Sequence, residues 1–171
     1  MQNFIIRITQ ENANIAKDKK FQCYILPDSL NTEFVDNFTA TAKQCGKLLL
    51  AQGATAIEFY KKHNLDGFII DTVKDTKPQK TLKNIRQQAP NAIIGAISRN
   101  RRHEAMLVSE CEPDFIIFNV WQDGLEHNRE LLEWYSELFL IQSAVQCENG
   151  VDFTTLPADL VIIDDTELLT E

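Results

Sequence analysis

Lys61–Asn119 reads KKHNLDGFIIDTVKDTKPQKTLKNIRQQAPNAIIGAISRNRRHEAMLVSECEPDFIIFN, and this stretch decides the fold. It holds three short apolar runs, Phe68–Ile70, Ile93–Ile97 and Phe115–Phe118, separated by segments with the length and spacing of amphipathic helices. Each run is entered through a turn and leaves into polar residues. Between the first two runs, Pro78 stands at the first turn of a helix over 78–88, where its missing N–H costs nothing, and Leu82 and Ile85 face inward. Strand, helix, strand, helix, strand is the rhythm of a βαβ repeat.

The same rhythm extends in both directions. Upstream, Phe4–Ile8, Phe21–Leu26 and Lys47–Leu50 read as strands, and downstream Leu140–Ser143 and Leu160–Ile163 do. Helices are expected from a cap at Ser29 or Asn31 to a stop at Gly46, over 55–63, over 100–111 and over 125–138. The segment 9–20 has room for two helical turns at most. Asn149-Gly150 and Pro157 keep 144–156 short or irregular, and 164–171 is too short for a covering helix. Strands recurring every 18–25 residues with helices between them favour parallel pairing. Their runs are continuously apolar instead of alternating, as both-face burial requires. Eight such strands predict a single-domain, small (β/α)8 barrel over residues 1–171, with reduced or missing helices near the termini. Such barrels usually take about 200 residues or more, so an open doubly wound parallel sheet is the alternative.

A chain of 171 residues, 44% hydrophobic and 25% charged, is an ordinary globular composition. Its formal net charge of −8 argues against nucleic acid or an anionic membrane as the main partner. The opening MQNFIIRITQENAN has no apolar run of signal-peptide length, and the expected location is the cytoplasm. Cys23, Cys45, Cys111 and Cys147 are scattered, with no Cys-x-x-Cys and no His at zinc spacing. The six glycines form no phosphate loop.

From LLLAQG at 48–53, through NLDGFIID and AIIGAIS with RRHEAM after it, to EPDFIIFN, the chain resembles thiamine phosphate synthase, a phosphate-binding (β/α)8 barrel transferase of thiamine biosynthesis. The resemblance implies joining a pyrimidine pyrophosphate to a thiazole phosphate, with Mg²⁺ neutralising the leaving group. It also implies a metal-binding carboxylate near Asp75 and a phosphate-site Ser at Ser98, each matched with a shift of one residue. The motifs depart where the chemistry would sit. The Asn-Asp after strand three is Gln52-Gly53, the Gly-Gln after strand four is Asp71-Thr72, the Thr-Lys after strand six is absent from NVWQDGLEHNRE, the Gly-Gly after strand seven is Ser143-Ala144, and the end of strand eight is Asp164-Asp165. Carboxylates repel a phosphate, so the expectation is a divergent barrel that has lost the parent activity, a pseudoenzyme.

Barrel sites are built at the C-terminal ends of strands, which here carry Asp28, Gln52, Asp71, Ser98, Arg99, Asn119, Ser143, Asp164 and Asp165. Asp71, Asp75 and Asp164 are the candidate Mg²⁺ ligands, because hard divalent cations take oxygen donors. Ser98, Arg99, Arg101 and Arg102 open the helix after strand five. Helix N–H groups and guanidinium forks there suit a phosphate or carboxylate, with Ser143 as a further ligand-binding candidate. His63, His103 and His127 sit on or near expected helices and read as surface residues. Trp121, Trp134, Tyr135 and Phe139 border the helix over 125–138. With a terminal helix missing, an apolar patch there suits a homodimer. Three functions stay open: a barrel that binds a small phosphorylated or otherwise anionic molecule, an active Mg²⁺-dependent transferase, and a non-catalytic protein-interaction module.

Overall fold

A computed structural model describes residues 3–170. Its strands are β1 (Asn3–Arg7), β2 (Cys23–Pro27), β3 (Leu48–Gln52), β4 (Gly67–Asp71), β5 (Ile93–Ser98), β6 (Phe115–Val120), β7 (Gln142–Cys147) and β8 (Leu160–Asp164). Hydrogen-bonded in sequence order, they form a closed parallel barrel. Among the described residues the α-helices are α1 (Thr32–Gln44), α2 (Ala56–His63), α3 (Pro78–Gln88), α4 (Arg102–Ser109) and α5 (Leu125–Leu138). The segments after β1, β7 and β8 contain only 3-10 turns, at Ala13–Lys17, Phe153–Thr155 and Asp165–Thr170. This is the stripped (β/α)8 barrel, and closure excludes the open sheet.

One strand lies elsewhere than expected. Instead of Leu140–Ser143, β7 runs from Gln142 to Cys147, and Leu140 is fully exposed. The residues that do bury, Ser143, Ala144 and Val145, are small or flanked by glutamines, so their run lacks the apolar weight that marks the other strands.

The contacts of the chain group into two compact units, Phe4–Ile69 with residues from Ile162 onward, and Ile70–Val161 with Asn3. In the first, β2 and β3 pair from Cys23↔Leu48 to Pro27↔Gln52, and Ile25, Leu26, Leu49 and Phe38 are wholly or almost wholly buried. Asn31 starts α1 by accepting from the Glu33 and Phe34 N–H groups at 2.9 and 3.4 Å, satisfying donors that the first turn would leave orphaned. Gly46, at φ +71°, ends the helix just past its C-cap. Lys47 is buried, and its Nζ donates to the Asp18 and Phe21 carbonyls at 2.8 and 2.5 Å. Together with Tyr24 Oη donating to Ile15 O at 2.6 Å, it ties down the turn that stands where a first helix would be.

In the second unit β5, β6 and β7 pair in parallel, with Gly95↔Phe115 and Ser98↔Phe118 across the first pair. α5 covers them with Leu131, Leu132 and Tyr135. Tyr135 is fully buried, stacks on Phe139 at 4.7 Å, and shares a 2.8 Å hydrogen bond with Ser109 Oγ. A buried phenol with its hydroxyl satisfied is a stable core element. No helix among the described residues is long and apolar enough to cross a membrane.

All four cysteines are free thiols. Burial pushes the Cys23 thiol up to about 12, and the negative charge of Asp66 adds to the shift. Burial also raises Cys111. Cys45 is exposed. Because the thiolate is the nucleophile, iodoacetamide at pH 8 should alkylate Cys45 first and leave Cys23 unmodified until the chain unfolds. Peptide mass spectrometry over the time course reads this out, and Cys23 reacting as fast as Cys45 would contradict the packing of β2.

Candidate functional site

The second unit places most of the basic cluster around one cleft. β5 ends at Ser98 and β6 at Val120, while α4 and α5 begin just beyond them. A cleft of about 440 Å³ opens there, lined by Ser98, Arg99, Asn100 and Arg101 from the β5–α4 connection. Asn119 and Trp121 line it from the end of β6, and Gly124, His127 and Asn128 from the start of α5. Its size suits a small molecule.

Backbone and side-chain bonds build the walls. Thr72 follows β4 and is buried, donating through N–H and Oγ to Ile97 O at 3.0 and 2.6 Å. Just beyond it, Val73 O accepts from Arg99 Nε at 2.5 Å. That bond holds the Arg99 guanidinium in place and leaves its terminal NH₂ groups with no acceptor among the described residues. Arg101 is extended, at φ −140° and ψ 143°, and makes no ion pair among the described residues. Ser98 is 1% exposed and donates its hydroxyl to Arg99 O at 2.9 Å, keeping its lone pairs.

Asn100 joins the two connections. Its Nδ2 donates to Asn119 O at 2.5 Å, and its own carbonyl lies 2.7 Å from His127 Nε2. A carbonyl only accepts, so Nε2 carries a proton and Nδ1 of the neutral ring is an acceptor. Asn128 is 1% exposed, and its Nδ2 donates to Gly124 O at 2.7 Å. This fixes the amide's orientation, because a flip would set Oδ1 against a carbonyl. Oδ1 of Asn128 and Oδ1 of Asn119 are both buried with no hydrogen-bond partner. Gly124 matters through what it lacks. A Cβ there would stand 3.1 Å from Asn128 Nδ2 and 3.2 Å from Trp121 Nε1, so glycine lets both side chains close on the cleft.

Two members of the expected anion site lie elsewhere. Arg102, already on α4, sets its guanidinium 5.3 Å from the Trp134 ring centroid. Ser143 is corrected more sharply. It sits at the N-terminal end of β7, the opposite end from a strand exit, with its N–H donating to Asp159 Oδ2 at 3.0 Å. The cause is the two-residue shift of that strand's start. The sequence offered Asn119 as a strand exit with no role attached and His127 as a surface residue, and it gave no sign of Asn128.

The acidic strand ends are satisfied by the protein itself. Asp71 Oδ1 accepts from Val73 N at 2.9 Å, and Asp75 Oδ1 from Lys77 N at 2.8 Å. The Asp75 carboxyl is held below its usual range by the Thr81 hydroxyl first and by that N–H second. Asp164 Oδ1 pairs with Arg7 Nη1 at 3.0 Å, while Arg7 Nε donates to Gln52 Oε1 at 2.8 Å. Sequence reasoning missed Arg7 as well, although it is a lone cation inside the apolar run FIIRI. Asp165, 8% exposed, accepts from Thr9 N, Gln10 N and the Thr9 hydroxyl. Among the described residues no group of three or more His, Cys, Asp or Glu is arranged to hold a metal ion. These carboxylates close turns and pin strand ends.

Solved barrels share this architecture. The chain is similar to an HpcH/HpaI aldolase from Desulfitobacterium hafniense DCB-2, with TM-score 0.67 and 11% identity over 99% of this chain and 89% of that one. It is also similar to the citrate synthase SbnG, at TM-score 0.63 and 12% identity over 99% and 89%. KGPDC from Streptococcus mutans matches at 0.63 and 13% over 97% and 89%. The likeness is one of fold. No family model matches the chain. No curated protein matches it in sequence either.

The resemblance to thiamine phosphate synthase is therefore overturned, because no family model supports it and the similar structures are citrate synthase, aldolase and KGPDC barrels. The quoted segments mislead for a physical reason. Gly and Asp at the turn before an apolar strand, and a polar helix start after it, are what any short βα repeat needs. The fold is one that enzymes such as aldolases use.

Proposed function

We propose that this barrel binds a small phosphorylated molecule in the cleft between the β5–α4 and β6–α5 connections. The observation that supports it most is the charge of the lining. In a chain of formal net charge −8, the cleft is lined by two arginines and no carboxylate. Arg99 keeps donors free and Arg101 has no acid partner among the described residues, so the two guanidiniums can fork onto one anion. α4 begins beside them without a side-chain cap, and its first N–H groups add partial positive charge. Val73 and Trp121 supply apolar wall for the rest of the molecule.

Trp121, 44% exposed in the cleft, gives the assay its signal. Titration with pentyl phosphate should change tryptophan fluorescence saturably, whereas pentanol should not. The double variant Arg99→Gln, Arg101→Gln should weaken pentyl phosphate about tenfold or more, since charge-assisted bonds contribute roughly 1.5–3 kcal/mol each. Absence of binding by the unaltered protein, or equal binding by the double variant, would sink this reading.

A further inference from the structure

We infer that the phosphorylated molecule carries several hydroxyl groups next to its phosphate, as a sugar phosphate does. The inference rests on the binding reading above and adds the chemistry of the ligand's uncharged part.

The cleft presents more than cations. Two of its lining residues carry a buried side-chain oxygen with no hydrogen-bond partner, Asn128 Oδ1 and Asn119 Oδ1, and a third, the exposed His127, has Nδ1 as an acceptor when Nε2 holds the proton. The assignment is geometric in two of the three. Asn128 Nδ2 is spent on Gly124 O, which fixes Oδ1 as the free end, and His127 Nε2 is spent on Asn100 O. Ser98 adds lone pairs, because its proton is on Arg99 O. A buried acceptor left unpaired is costly, so native proteins retain such groups where something supplies the donor. A phosphate supplies none, since it is itself an acceptor. An alkyl chain supplies none either. Hydroxyl groups do, and a sugar carries several within the reach of one cleft. The arginines on one connection and the amides on the other divide the work: charge is held by Arg99 and Arg101, and the hydroxyls by Asn119, His127 and Asn128. A site built this way discriminates strongly against an analogue that lacks the donors, because its polar groups then stay unpaired.

Ribose 5-phosphate and pentyl phosphate make the matched pair, with five carbons and one phosphate each and hydroxyls on the first alone. By tryptophan fluorescence the protein should bind ribose 5-phosphate about tenfold more tightly or better. Asn119→Leu and His127→Phe, made separately, should each shrink that preference, read as the ratio of the two affinities measured on the same variant. Two variants guard against one failing to fold, and the comparison in the unaltered protein stands without either. Equal affinity for the two compounds, with both lost in the Arg99→Gln, Arg101→Gln variant, would overturn this inference and leave the phosphate site intact. A preference that survives in both Asn119→Leu and His127→Phe would also overturn it. If neither compound binds, the phosphate site falls and this inference with it.

Discussion

Replacing Gly53 by alanine should lower the unfolding free energy by about 3 kcal/mol, from backbone strain and a lost cap together. Gly53 follows β3 at φ +131°, where an L side chain is strained. Space is lacking as well: a Cβ would sit 2.2 Å from both Cγ and Oδ1 of Asp28. Asp28 holds the end of β2 to the start of α2. Its Oδ2 accepts from Thr55 N and Oγ1 at 2.8 and 2.7 Å, capping a helix whose own N-cap side chain makes no cap bond. A methyl at 53 must expel that carboxylate, so two hydrogen bonds are lost with the strain added. Gly46 is the control, because it has φ +71° but nothing within 4 Å of where a Cβ would stand, and Gly46→Ala should cost only about 1 kcal/mol. Urea unfolding of both variants measures the difference. In the double variant Asp28→Ala, Gly53→Ala the losses should add to less than the sum of the singles, since the clash disappears with the carboxylate. A Gly53→Ala cost no larger than that of Gly46→Ala would remove Asp28 from the account.

The barrel was legible because its strands are apolar runs that both faces bury, and because its helices carry strong local signals. Asn31, Gly46 and Pro78 punctuate the chain where the structure starts and stops helices. Legibility failed where tertiary contacts override those signals. β7 buries Ser143, Ala144 and Val145, while Leu140, the apolar residue that marked the expected strand, lies in solvent. α4 starts at Arg102 and not at Asn100, because the Asn100 side chain and carbonyl are engaged with Asn119 and His127 and Arg101 is extended.

The site was half legible for a related reason. Ser98, Arg99 and Arg101 are neighbours in sequence, so a basic helix start announces itself. Arg102 belongs to the same run but is one residue further, already turning with α4 toward Trp134. The acceptors come from the next βα connection, and Asn119 and His127 meet Asn100 across 19 and 27 residues of chain. No local pattern encodes that meeting. It follows only once β5 and β6 are paired in register, which brings the two connections to one end of the barrel. The acidic strand ends pose the opposite case. As sequence they look like metal ligands, and their partners within the chain, Arg7 for Asp164 and Thr9 for Asp165, come from β1 and the residues after it, 157 and 156 residues away.

Gly95 lies within that register, and here a second large effect is expected. Gly95 pairs with Phe115, and a Cβ at 95 would lie 2.5, 2.7 and 3.0 Å from three atoms of the Phe115 ring. The ring is 5% exposed, so it has no solvent to retreat into without giving up its burial. Gly95→Ala should therefore destabilise by about 3 kcal/mol, the upper end for overpacking a core. Phe115→Leu alone should cost about 1–2 kcal/mol, the loss of ring contacts over a strand that still carries glycine. Combined, the two should cost less than their sum by at least about 1 kcal/mol, because leucine gives back the space the methyl needs. Additive losses in urea unfolding would show that the ring moves freely and that Gly95 is not what sets the spacing. The effect should also reach the cleft. Ser98 lies three residues along β5, paired with Phe118, and Asn119 follows on β6. Gly95→Ala should weaken pentyl phosphate binding, and the double variant should recover it. A change of stability without a change of binding would mean that the cleft is held by the Asn100 bridge alone, independently of how closely β5 and β6 pack beneath it.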